Sequence, residues 1–260
     1  GLMNSNADAV KAEIETVLKA RSNQKLVVEA HYAVASMTMG EELRKRDDAD
    51  IDRVLAATDQ FIKAAPDDAR APRLLMQIAG TVSDDKKALP IYERIVKEFG
   101  ETSSAKYAPG KIKQIKGIDK PFELEFTDAI TGTQIDMKML RGKVVVIDFW
   151  ATWCGPCIAE MPKMKKLYAE YKDQGVEFIG ISLDVAEDKG GRTKLREYCE
   201  KEDVTWPQYY QGNYWDGEFS VSWGINSIPA IFIVDKEGNL HSVKARGKLE
   251  TLIPELLAKD

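Results

Sequence analysis

Residues Val144-Val-Val-Ile-Asp-Phe-Trp-Ala-Thr-Trp-Cys-Gly-Pro-Cys157 decide how this chain reads. The apolar run to Phe149 is a buried strand, and it ends where two cysteines begin. A helix starts at those cysteines, with Cys154 at its terminus and Cys157 one turn inside. The unpaired N–H groups and the positive end of the helix dipole stabilise a thiolate there. Pro156 rigidifies the first turn, where its missing N–H costs nothing. The spacing lets the two sulfurs meet, so the pair can cycle between dithiol and disulfide. Cys154 is expected to be the exposed nucleophile and Cys157 the buried thiol that resolves the intermediate.

Two other uses of the motif are weaker. A zinc site needs about four ligands. Outside the motif the chain has only Cys199, His31 and His241 to offer, none in ligand spacing, so no metal is expected. A purely structural disulfide would close so short a loop that it would constrain the unfolded chain little. Cys199 lies in a helical pattern and reads as a small buried hydrophobe.

Composition sets the frame. The 260 residues suit one large or two ordinary domains, and 44% hydrophobic content suffices for packed cores. A net charge of −5 leaves no electrostatic footprint for nucleic acid. No run is long and apolar enough to cross a bilayer, and no signal-peptide pattern is read. The start Gly1-Leu-Met-Asn-Ser5 reads as a remnant of expression, which leaves room for a removed leader or membrane tether.

Residues 1–116 read as helical. Apolar residues recur at helical spacing over Ala9 to Ala20, Leu26 to Leu43, Asp50 to Ala64, Arg70 to Ala79 and Lys86 to Phe99. Phe61-Ile-Lys-Ala-Ala-Pro-Asp-Asp68 resembles Ile95-Val-Lys-Glu-Phe-Gly-Glu-Thr102, an offset of 34 residues. That is the period of tetratricopeptide-like helix pairs, although the Trp and Gly-Tyr positions of that pattern are missing. Such an array can bind a protein partner, self-associate or serve as a scaffold. Lys111 to Lys120, with Gly110 and Gly117, marks the boundary to a second domain, 117–260. There strands and helices alternate, ending in a hairpin at Asp235-Lys-Glu-Gly-Asn239 and a helix over Leu249 to Ala258. The segment between Trp206 and Trp223, rich in aromatic residues and glycine, reads as a loop that either shapes a recognition surface or packs on the fold.

The stretch 146–157 looks like the active-site strand and turn of thioredoxin. Asn226-Ser-Ile-Pro-Ala230, followed by Ile231-Phe-Ile-Val-Asp235, resembles its cis-proline loop and the strand after it. The hairpin prefix, Phe122 to Phe126 and Gln134 to Met137 around Asp128-Ala-Ile-Thr-Gly132, and the run Cys157-Ile-Ala-Glu-Met-Pro162 are similar to the TlpA/ResA-like branch. The resemblance covers about 119–260. It implies an α/β thioredoxin-like fold preceded by an N-terminal all-α helical domain. It also implies a thiol-disulfide oxidoreductase, located in the periplasm or cell envelope. Expected partners are protein disulfide substrates and an upstream thiol reductant. No cofactor is expected beyond the redox-active disulfide Cys154–Cys157. Trp153, Gly155, Pro156, Ile228 and Pro229 fall on the family's substrate surface, and Trp150 in its core.

One departure matters. That branch often has Asn where this chain has Asp148, and thioredoxin has a buried Asp there. The chain thus carries two candidate proton carriers for the buried thiol, Asp148 and Glu160. Burial would raise the Asp148 pKa toward the working range. Two other functions compete. A peroxiredoxin-like peroxidase would need a threonine three residues before the attacking cysteine and a proline four before that, where Ala151 and Ile147 stand. A partner-binding module using the helical domain is the other, and the intact cysteine pair argues against it.

Overall fold

The computed structural model describes residues 2–20, 23–45 and 48–259. Its contacts divide the chain into two compact units, Gly1–Ala108 and Pro109–Asp260.

The first unit is built from α1 (Leu2–Ala20), α2 (Gln24–Leu43), α3 (Ile51–Ala64), α4 (Arg70–Thr81) and α5 (Asp85–Phe99). Each helix packs on the next in sequence. The side chains of Asn23, Asp50 and Asp84 accept backbone N–H groups at three of the helix starts, supplying partners the helix cannot. The core holds Ala35, Val54, Phe61, Leu75, Ile78 and Ile95, all essentially without solvent contact. Phe61 and Ile95, the positions aligned by the 34-residue offset, are both in it.

The second unit starts with α6 (Ala108–Lys116), where the sequence reads a linker. The Gln114 side-chain amide donates to the Trp223 carbonyl. A side chain at Gly110 would meet the Gly224 backbone nitrogen at 2.0 Å. Gly110 is therefore a contact glycine rather than a flexible one, and the division of the chain falls at 108/109, at the start of α6, rather than at 116/117. Then come the hairpin strands β1 (Glu125–Thr127) and β2 (Gln134–Asp136), β3 (Val144–Trp150), α7 (Gly155–Tyr171) and β4 (Val176–Ser182). They are followed by α8 (Gly191–Lys201), β5 (Gln208–Tyr210), α9 (Glu218–Ser222), β6 (Ala230–Val234), β7 (Leu240–Ser242) and α10 (Leu249–Leu257). The main sheet runs β5-β4-β3-β6-β7, with β3, β4 and β5 parallel and β6 and β7 antiparallel to their neighbours. α7 packs on β4 and α10 on β3. This is the α/β thioredoxin-like architecture, with a helical region before it.

β3 is central and every one of its residues is buried, which accounts for its nearly continuous apolar run. The segment from Trp206 to Trp223 is more ordered than a loop, since it contains β5 and α9. Gln208 explains part of this. Its side-chain carbonyl accepts the Trp150 indole N–H at 3.0 Å, and its own amide donates to the Trp206 carbonyl at 3.1 Å. A buried polar pair satisfied in this way pins β5 to the sheet.

Candidate functional site

The site is built at the end of β3. Four residues after Trp150, Cys154 takes extended backbone angles and becomes the residue capping α7. Its Sγ accepts the Cys157 backbone N–H at 3.2 Å. Pro156 lies in the first helical turn, as its missing donor requires. Cys154 and Cys157 are joined by a disulfide, their Cα atoms 5.3 Å apart. Both residues are 4% exposed, so the expected contrast between an open and a covered cysteine is absent in this oxidised form. The Cys154 sulfur is turned back toward the Cys157 amide and bonded to its partner, which keeps it from projecting. What distinguishes the two sulfurs is position: one caps the helix and the other is inside it.

Asp148 lies in β3 between Gly180 of β4 and Ile231 of β6. It is 5% exposed. Burial, reinforced by the negative charge of Glu160 and partly offset by Arg246, pushes its pKa up to about 7. Glu160, on α7, is held by Arg246, whose Nε donates to its carboxylate at 2.8 Å. That contact raises the Arg246 pKa further. Glu160, Lys163, Met164, Ile231, Arg246 and Leu249 line a pocket of about 380 Å³. Asp148 and Glu160 are thus electrostatically coupled, and the structure adds Arg246, which no sequence pattern marks.

The Ile228–Pro229 peptide is cis. Ala230, the next residue, pairs with Phe149, so Pro229 lies beside the end of β3 from which the cysteine loop departs. Ile228 and Pro229 are half-buried, and Gly155 and Pro156 are exposed. Trp150 is fully buried, whereas Trp153 is 41% exposed. The Trp153 indole N–H donates to the Leu183 carbonyl at 3.2 Å, and its ring packs on Tyr214 and Trp215. The aromatic segment therefore both packs and lines the rim beside the cysteines.

A second buried carboxylate, Asp184, escapes a reading of the sequence. It accepts the Thr152 N–H at 3.1 Å, the Thr152 hydroxyl at 2.6 Å and the Ser182 hydroxyl at 2.7 Å. Burial raises its pKa against the lowering effect of those donors. The hint was the run Ser182-Leu-Asp184 directly after an apolar strand. Cys199 is buried in α8, and desolvation pushes its thiol up to about 12.

A thioredoxin-type sheet with a Cys-Gly-Pro-Cys disulfide at the start of the first helix after its central strand, and a cis-proline strand alongside, defines the class of domain. Comparison with known proteins narrows it. Residues 119–243 match the AhpC/TSA family. The thiol-disulfide oxidoreductase ResA of Bacillus subtilis is 30% identical over 151 residues, 57% of this chain and 77% of that protein. ResA of Oceanobacillus iheyensis is 32% identical over 134 residues, 51% of this chain and 66% of that protein. The solved thioredoxin domain of a thiol-disulfide oxidoreductase from Bacteroides vulgatus aligns with a TM-score of 0.43 at 24% identity, covering 51% of this chain and 94% of that one. The chain belongs to the ResA-like thiol-disulfide oxidoreductase family, through its AhpC/TSA-type thioredoxin-like domain. It spans just under two thirds of the Oceanobacillus relative and 60% of the Bacillus thuringiensis one.

Proposed function

We propose that this protein reduces disulfides in other proteins through the Cys154–Cys157 pair. The supporting observation is a disulfide at a helix start whose capping sulfur already accepts a backbone N–H at 3.2 Å. That donor would stabilise a Cys154 thiolate once the pair is reduced. In the first step the thiolate attacks one sulfur of a substrate disulfide. The substrate S–S bond breaks, and its other sulfur leaves as a thiolate that takes a proton from water. In the second step the Cys157 thiol gives its proton to the Asp148 carboxylate and attacks the Cys154 sulfur. The mixed disulfide breaks, and the remaining substrate sulfur leaves and is protonated. The substrate has gained two electrons and two protons, and an upstream thiol reductant restores the dithiol.

Asp148 is the primary proton acceptor in this reading, because its raised pKa near 7 suits exchange with a thiol at neutral pH. Glu160 acts on it through charge. Trp153, Gly155, Pro156, Ile228 and Pro229 form the docking surface for an extended substrate strand. The likeness to the exported TlpA/ResA branch supports a place outside the cytoplasm, in the periplasm or cell envelope. Among the described residues no helix is long and apolar enough to cross a membrane. The helical unit we assign to partner binding or self-association.

The test is turnover of an exposed model disulfide with a thiol reductant. Wild type should be active, Cys154→Ser inactive, and Cys157→Ser should accumulate the mixed disulfide on Cys154. Full activity of Cys154→Ser would overturn the assignment.

A further inference from the structure

Arg246 lies in the turn between β7 and α10, 86 residues from Glu160 in sequence. Its backbone is fixed relative to Asp148. The neighbouring Ala245 N–H donates to the Ile231 carbonyl at 3.1 Å, and Ile231 is the cross-strand partner of Asp148. Gly247 follows with φ +74°, a conformation that glycine adopts without strain, and it turns the chain into α10. From this anchored position the guanidinium reaches Glu160 through both Nε and a terminal nitrogen. Both donors converge on one carboxylate oxygen, Oε1, which makes the contact directional as well as charged.

The surroundings of Asp148 leave the pair little competition. On the β4 side its register partner is Gly180, which has no side chain, and on the β6 side it is the apolar Ile231. From α7 comes the charge of Glu160. Lys163, the other cation lining the pocket, is committed to Glu250 of α10 at 2.8 Å. The charges felt at Asp148 are those of Glu160 and Arg246, of opposite sign.

We propose that Arg246 is a positioning residue for the dithiol chemistry: by clamping Glu160 over the pocket at Ile231, it sets the field under which Asp148 receives the Cys157 proton. This rests on the function proposed above, but the clamp has consequences that need no turnover. Removing Arg246 deletes a positive charge and leaves Glu160 unneutralised. Both effects make Asp148 hold its proton to higher pH. Removing Glu160 leaves Arg246 unpaired and does the opposite.

The experiment is a pH titration of the Asp148 carboxyl in the oxidised 260-residue chain, followed by infrared difference spectroscopy and assigned with Asp148→Asn. Arg246→Met should move the midpoint up by about one pH unit, tenfold in proton binding. Glu160→Gln should move it down, Arg246→Lys should stay near wild type, and the Glu160→Gln/Arg246→Met double variant should fall between the single ones. Stopped-flow resolution of the mixed disulfide should show midpoints displaced in the same directions. If Arg246→Met does not fold, the downward shift of Glu160→Gln against the near-wild-type midpoint of Arg246→Lys carries the test. An unmoved or lowered midpoint in Arg246→Met, or an unmoved one in Glu160→Gln, overturns the clamp. An active wild type with such midpoints sinks the clamp alone. A wild type without disulfide exchange overturns both the function and the role of Arg246 in it, even if the midpoints shift.

Discussion

Thr152 donates both its backbone N–H and its hydroxyl to the Asp184 carboxylate, at 3.1 and 2.6 Å. The loop bearing Cys154 is thereby tied to the segment following β4. The same segment accepts the Trp153 indole N–H at Leu183 and the Tyr214 N–H at the Asp184 carbonyl. One buried carboxylate therefore holds the cysteine loop, and its own backbone holds the aromatic rim.

Asp184→Ala would leave the Thr152 N–H and the Ser182 hydroxyl without their acceptor. We expect a loss of about 3 kcal/mol in stability by denaturant unfolding, the scale for orphaned buried donors. Thr152→Val, which keeps the N–H bond, should lose only about 1 kcal/mol. Equal losses in the two variants would show that the hydroxyl alone matters.

Asp148 makes stability depend on pH with an unusual sign. Its folded-state pKa lies above its ordinary value, at about 7 against 3.8. In that window the unfolded chain has shed the proton that the folded one still holds. Stability from this group is thus full below pH 3.8 and is lost as pH rises toward 7. The whole effect is on the order of 4 kcal/mol. Oxidised Asp148→Asn should gain on wild type in thermal melts as pH rises from 4 to 8. A difference that stays constant across that range would place the Asp148 pKa near the ordinary value.

The same titration governs rate. Only ionised Asp148 can take the Cys157 proton, so resolution should accelerate as pH rises through about 7 and flatten above it. Asp148→Asn should abolish that step in the profile and slow resolution by about 10²-fold while sparing the first attack. Single-turnover kinetics with a fluorescent mixed disulfide separate the two steps. Retention of the inflection in the variant would assign it to another group.

A fragment starting at residue 109 should unfold cooperatively and at higher temperature than one starting at 117. The shorter fragment loses the Gln114 amide that serves the Trp223 carbonyl and the close packing of Gly110 on Gly224. The cost is about 1–3 kcal/mol for the buried carbonyl alone. Calorimetry of both fragments decides, and identical melts would put the boundary where the sequence places it.

What the sequence made legible follows from the range of the interactions involved. The helices of the first unit and the β3–α7 unit are written locally, in apolar spacing, in a strand without polar interruptions except Asp148, and in a proline at a helix start. α6 was hidden because Gly110 and the lysines after it have the composition of a linker, and the glycine's packing role appears only when Gly224 lies against it. β5 is three residues long and depends on Gln208 finding Trp150, 58 positions away. Gly180 belongs to the same arrangement, since a Cβ there would come within 2.1 Å of the Gln208 carbonyl oxygen. Arg246 acts on Glu160, 86 positions away, and Asp184 on Thr152, 32 positions away, so neither role shows in a window of sequence, although Ser182 beside Asp184 is a local hint. Asp148 stood out early because an isolated carboxylate in a core strand has no local explanation.

Cys199 has a practical consequence. It is sealed in α8 with its thiol pushed up to about 12, while the other two of the chain's three cysteines form the disulfide. Under native conditions a colourimetric disulfide reagent should find no accessible sulfhydryl in the oxidised molecule, whereas the reduced one should release two reporter thiolates, the first as Cys154 attacks the reagent and the second as Cys157 displaces it and reforms the disulfide. The protein therefore reports its own electron inventory as a whole-number stoichiometry, with no tag or background subtraction, and a third equivalent marks the point at which the fold has opened.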